Sequence, residues 1–162
     1  SEPLYTGPPM TILELPNGTV MKVMKDDFEE KLVNFLQSDY TSLGNDSLKN
    51  IWFDISNLRF NNNGTLLYNG QQSLVNLIAI LHAFPAARIK IAGYTDKAGD
   101  EKDNLRFSSN EAASLQSLLI SAGLAKQVLG ADGFGSANAK YPATDPEKNR
   151  FKDRRVSVSV RM

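Results

Sequence analysis

The chain has 162 residues, 18 lysines and arginines against 18 aspartates and glutamates, and no cysteine. That length suits one domain with an extension and can bury a sizeable core without covalent staples. Zero net charge argues against broad electrostatic attraction to nucleic acid or an anionic membrane, and the missing thiols exclude disulfides, thiolate catalysis and zinc–thiolate sites.

A cysteine-free chain is compatible with an oxidising compartment. No apolar run reaches the roughly 18–20 residues that span a bilayer; the longest, residues 74–84, is interrupted by Asn76 and His82. No segment has the pattern of a signal peptide. The proline-rich residues 1–9 are expected to be a linker or a cut edge, with any membrane anchor outside this sequence.

Residues 10–23 are expected to form a hairpin. Two β-prone runs flank Pro16-Asn17-Gly18, and Asn-Gly is a strong turn signal because both residues tolerate positive φ. Residues 26–37 have the spacing of an amphipathic helix, with Phe28, Leu32, Phe35 and Leu36 on one face and acids in the first turn, where the helix dipole favours them. Residues 38–49 are polar and turn-like. Residues 10–49 are therefore expected to be an N-terminal extension, and residues 50–162 the main domain.

From Asn50 strands and helices alternate. Residues 51–58 predict a strand, Asn61 to Gly64 a turn, and residues 70–84 a helix with Leu74, Leu77, Ile78 and Leu81 at core spacing, stopped by Pro85. Residues 88–92 predict a strand and residues 108–122 a helix closed by Gly123, a typical residue just past a helix end. Residues 127–134 predict a short strand. Residues 154–161 alternate strictly, with Val156, Val158 and Val160 on one face. This order implies an α+β two-layer sandwich, a mixed sheet with helices packed on one face.

The chemistry concentrates in residues 89–112. An apolar strand delivers Tyr94, Thr95 and Asp96 to a loop, followed by Gly99 and Asn104, and loops held by rigid elements are where binding groups usually sit. Ser108 and Glu111 have the spacing of a capping box: the serine accepts from the third helical amide while the glutamate reaches back.

Nothing else forms a catalytic frame. His82 is the only histidine, so no second one exists to build a metal site or relay. Ser108 lacks a histidine base and a nucleophile elbow. The acids Asp96, Asp100, Glu101 and Asp103 lack calcium-loop spacing and read as a solvated loop. The chain is expected to be a binding module, not an enzyme, with no cofactor and no metal.

The segment from Trp52 to Val160 resembles the OmpA-like peptidoglycan-binding domain found in the C-terminal part of OmpA, in Pal-type lipoproteins and in MotB-type motor stators. Phe60, Gly64 and Leu66 or Leu67 resemble the family's opening motif. Gly93, Thr95, Asp96, Gly99 and Asn104 resemble its central signature. Phe107-Ser108 stands where it usually has Leu-Ser. Gly133, Gly135 and Pro142 resemble its later turn, and Asp153 to Val156 its ending.

The resemblance implies non-covalent binding of the diaminopimelate residue of the peptidoglycan stem peptide, in the periplasm of a Gram-negative bacterium. Asp96 would hold the ligand ammonium, and Thr95 and Asn104 would add hydrogen bonds. It also implies a membrane tether, membrane-complex partners of a stator or secretion kind, and pairing of the chain as a homodimer; no nucleic acid is implied. The family's ligand-carboxylate arginine falls at position 111, where this chain has Glu111.

Two like charges about 4 Å apart cost ~4 kcal/mol at an intermediate dielectric. Another base is therefore expected to serve, from Arg106, Arg150, Arg154 or Arg155, the last two pointing to opposite faces of a strand. If Asp96 and Glu111 lie close, repulsion raises one pKa and binding strengthens at mildly acidic pH. The alternative is a degenerate domain that lost the ligand and serves as an interaction or spacer module.

Overall fold

A computed structural model describes residues 4 and 6–162. The linker expected at residues 1–9 falls in part on residues 1–3 and 5, which lie outside the described residues. The chain opens with an antiparallel hairpin, β1 (Met10–Glu14) and β2 (Val20–Met24), paired Met10 to Met24 and Glu14 to Val20. Its turn closes through the Leu15 amide on the Thr19 carbonyl, with Gly18 at φ 88°.

Helix α1 (Phe28–Gln37) follows, capped by Asp27, whose carboxylate accepts from the Phe28 amide at 2.7 Å and from the Ser56 hydroxyl. A short α2 (Asn45–Leu48) leads to β3 (Phe53–Asp54). Next come α3 (Gln71–Ala83), β4 (Arg88–Tyr94), α4 (Glu101–Ser121), β5 (Val128–Gly133), the single turn α5 (Glu147–Arg150) and β6 (Arg155–Arg161).

The main sheet runs in the order β3-β6-β4-β5. Strands β4 and β5 are parallel, joined by α4 as a crossover, and the remaining pairs are antiparallel. The expected α+β architecture with a mixed sheet is thus the observed one. Ile89, Ile91, Val156, Val158 and Val160 line the core face and pack with Leu77, Ile80, Leu81, Leu115 and Leu119 from α3 and α4. Phe28, Leu32, Val33 and Leu36 of α1 join the same cluster, so the extension and the sheet share one core. A polar clasp reinforces that join: buried Glu29 accepts from Asn76 Nδ2 at 2.8 Å.

The strand expected over residues 51–58 and the helix expected from Ser108 both differ from the sequence expectation. The strand expected over 51–58 shrinks to Phe53–Asp54, because Asn57 takes a positive φ of 62° and the Leu58 amide turns back to the Ile55 carbonyl. Helix α4 begins at Glu101 rather than at Ser108. Its N-cap is Asp100, which accepts from the Lys102 amide at 3.1 Å, after Gly99 reverses the chain at φ 79°. The acids Glu101 and Asp103 therefore belong to a first helical turn, where the dipole favours them, and not to a loop. The capping box of Ser108 and Glu111 does not exist, since both residues lie in the middle of α4.

Helix α4 lies close on the sheet at two glycines. A β-carbon at Gly93 would overlap the Ser108 carbonyl oxygen, and one at Gly133 would overlap the Ser109 amide nitrogen. This approach lets the Ser108 hydroxyl accept from the Gly135 amide at 2.9 Å, tying the end of β5 to the helix.

Candidate functional site

Strand β4 ends at Tyr94 and delivers Thr95 and Asp96, both still buried, to the start of a loop, Asp96 at 6% exposure. The loop is fastened from within. Thr95 Oγ1 donates to the Asp96 carbonyl at 2.9 Å, and Asn104 Nδ2, from the first turn of α4, donates to the Ala98 carbonyl at 3.0 Å. Asp96 Oδ1 accepts from the Ala98 amide at 2.9 Å. Thr95 and Asn104 thus hold the carboxylate's platform in shape.

Asp96 Oδ2 faces two arginines that arrive from the far end of the chain. Arg150 Nη1 approaches to 3.1 Å and Arg154 Nη1 to 2.6 Å. The more exposed Glu147 bridges the outer side of both, with Arg150 Nη2 at 3.3 Å from its Oε2 and a close contact to Arg154 Nη2. Burial is the largest single influence on Asp96 and pushes its carboxyl up. The Ala98 amide, Arg154 and Arg150 together outweigh it and hold the pKa below the ordinary aspartate value.

Of the expected bases, Arg150 and Arg154 gather at Asp96. Arg155 does not: it lies 4.1 Å over the Tyr94 ring and 3.5 Å from Asp54. Arg106 pairs with Asp103 on the exposed side of α4 at 2.7 Å.

Glu111 is 1% exposed and points into the core, its neighbours on the α4 stripe being Ser108, Ala112, Leu115 and Leu119. Its Oε2 accepts from Arg59 Nε at 3.2 Å and from the Phe60 amide at 3.0 Å, while Oε1 is buried without a partner among the described residues. Burial raises its pKa above the ordinary glutamate value, opposed by Arg59 and the Phe60 amide. The expected route to a raised carboxyl, repulsion between Asp96 and Glu111, is not the operative one: each carboxylate has its own arginine partners, and Glu111 is raised by loss of water.

Arg59 was not among the expected site residues. It stands just before the Phe60 that the motif comparison singled out, and its guanidinium is half-buried, its side chain 21% exposed. Burial lowers its pKa, with the Glu111 charge opposing and the Arg154 and Asp96 charges also felt. The available signal was a charged side chain between core residues Leu58 and Phe60, since a buried charge needs a counter-charge. Arg59 and Arg154 both line one cleft of about 850 Å³, whose wall includes Asp54, Trp52 and Phe28.

The family model for OmpA matches residues 59–153. The chain belongs to the OmpA family. This family is a non-catalytic domain type. Among curated relatives, the peptidoglycan-binding protein ArfA of Mycobacterium tuberculosis is 35% identical over 104 residues, covering 64% of this chain and 32% of ArfA. The matched part is thus about a third of that relative's length.

Among solved structures, a periplasmic domain of Helicobacter pylori MotB aligns with a TM-score of 0.56 at 22% identity, covering 69% of this chain and 81% of that one. The cell wall anchor of the type VI secretion system of Pseudomonas aeruginosa aligns at 0.54 and 17% identity, covering 67% and 78%. At these identities the two likenesses establish the fold.

Proposed function

We propose that this OmpA-family chain binds peptidoglycan in the periplasm and anchors an envelope complex to the cell wall, with the diaminopimelate end of the stem peptide as its ligand. The observation that carries the reading is the buried carboxylate of Asp96, set at the mouth of β4 between Arg150 and Arg154. The ligand end is a zwitterion, an ammonium beside a carboxylate. The cluster of Asp96, Glu147, Arg150 and Arg154 is charge-balanced and offers both signs within one hydrogen-bonded group. Asp96 takes the ammonium, and an arginine of the site takes the carboxylate; charge-assisted bonds of this kind are the strong ones. Support also comes from the relative ArfA, a peptidoglycan-binding protein, and from the likeness to the cell wall anchor and MotB domains.

A tether to the inner or outer membrane, outside residues 1–162, belongs to the same proposal. Mildly acidic pH is proposed to strengthen binding, through Glu111. Its raised pKa makes it the first of the buried site carboxylates to take a proton, while the lowered pKa of Asp96 keeps that group ionised. One negative charge is then removed from the neighbourhood of a ligand carboxylate.

A second reading, a degenerate domain acting as an interaction or spacer module, draws on Glu111 itself and on the arginines already occupying Asp96. Cosedimentation with purified peptidoglycan separates the two. Wild type pellets and Asp96→Ala stays in solution if the site binds the wall. Wild type that remains in the supernatant at both neutral and acidic pH would establish the degenerate domain instead.

A further inference from the structure

We infer that the ligand-carboxylate base of this domain is Arg59, and that Glu111 is the residue that positions it: the ion pair is transposed, with the cation on the segment before Phe60 and the anion on helix α4. The inference rests on the peptidoglycan reading above and deepens it.

Position 111 is where the family resemblance calls for an arginine, and the chain places there an acid that is 1% exposed. A buried acid on an apolar stripe needs a reason, and its contacts supply one. Glu111 Oε2 fixes the Nε edge of Arg59 at 3.2 Å and, through the Phe60 amide at 3.0 Å, the backbone beside it. A guanidinium has five N–H donors, and this contact uses only the one on Nε. Among the described residues the Nη groups of Arg59 donate to no acceptor, although the side chain is mostly buried.

Those Nη groups form a fork of the shape that grips a carboxylate in bidentate fashion. They also lie in the right neighbourhood. Arg59 shares its cleft wall with Arg154, which itself holds Asp96, and it feels the charges of both. Arg150 and Arg154, by contrast, are each already shared between Asp96 and Glu147. Of Arg59, Arg150 and Arg154, Arg59 is therefore the one whose paired Nη edge is unused, its one partner being held through Nε. The rest of the cleft carries Asp54 and the aromatic residues Trp52 and Phe151, a surface suited to the remainder of a short peptide.

The test uses two soluble stem-peptide probes, one with the diaminopimelate carboxylate free and one with it converted to a carboxamide. Binding of each is measured by calorimetry to wild type, to Arg59→Gln/Glu111→Gln and to Arg59→Gln/Glu111→Arg, with the melting of each variant recorded. The first double variant removes both charges together, so no buried charge is left alone. The second returns a base to the helix.

Wild type is expected to prefer the free carboxylate at least ~10-fold, as for the loss of one charge-assisted bond. Arg59→Gln/Glu111→Gln should lose that preference while folded, and Arg59→Gln/Glu111→Arg should regain it. A folded Arg59→Gln/Glu111→Gln that still discriminates overturns the role of Arg59 and leaves the peptidoglycan reading intact. Wild type that binds neither probe overturns both.

Discussion

Truncating Arg59 should cost more stability than any exposed ion pair could, and the cost should depend on pH in a defined direction. In Arg59→Ala the Glu111 carboxylate stays at 1% exposure and keeps only the Phe60 amide as a donor. Removing one partner of a buried pair costs about 3–5 kcal/mol, because the other charge is left uncompensated. Against a total stability of about 5–15 kcal/mol for a domain, that is a large fraction. At ~2–4 °C per kcal/mol for a chain of this size, the melting point should fall by roughly 6–20 °C near neutral pH.

The direction with pH follows from the raised pKa of Glu111. A folded pKa above the unfolded value means that the folded state holds the proton more tightly. Stability from this group is therefore fully present below the unfolded value of 4.5 and declines as pH rises through the folded pKa. Arg59 is one of the influences holding that folded pKa down, so the variant's pKa lies higher and its decline continues further. Near pH 4.5 the deficit should shrink to the cost of an unpaired neutral group, about 1–3 kcal/mol. Urea titrations of wild type and Arg59→Ala, followed by circular dichroism at both pH values, measure this. A deficit under about 1 kcal/mol at neutral pH, or one equal at the two pH values, would refute the reasoning.

Glu111→Gln keeps an acceptor for Arg59 and the Phe60 amide while removing the charge, so its peptidoglycan binding should match or exceed wild type at neutral pH and lose its pH dependence in cosedimentation. Gly93→Ala places a methyl group on the Ser108 carbonyl oxygen, and overpacking of this kind should cost about 1–3 kcal/mol in a denaturant titration by pushing α4 off the sheet. In Gln127→Ala the carbonyls of Leu81, Phe84 and Ala87 lose the side-chain amide they share at 2.9–3.1 Å, and a loss of about 1–3 kcal/mol is expected in the same assay.

Much of the candidate site was legible in the sequence because its pieces are local. Asp96 follows an apolar strand, Gly99 follows in the loop and Asn104 in the first turn of α4, and the family motif covers all three. The alternation of Val156, Val158 and Val160 marked the last strand, but Arg154 lies just before it, and only the structure decided that Arg154 reaches Asp96 while Arg155 turns to Tyr94 and Asp54. The start of α4 was misplaced because Ser108 and Glu111 satisfy a capping rule that Asp100 satisfies first in space, once Gly99 has turned the chain. Arg59 escaped notice because its meaning depends on a partner 52 residues away.

What the sequence determined by itself is therefore the set of elements whose cause lies within a few residues: the Pro16-Asn17-Gly18 hairpin, the amphipathic face of α1, the Gly123 helix stop and the alternating last strand. Tertiary structure decided which charges meet. Arg150 and Arg154 converge on Asp96 across 54 and 58 residues, and Arg59 on Glu111. Local propensity carries no information about such pairs. They form because burial removes water from each charge and leaves an opposite charge, brought by another part of the chain, as the way to compensate it.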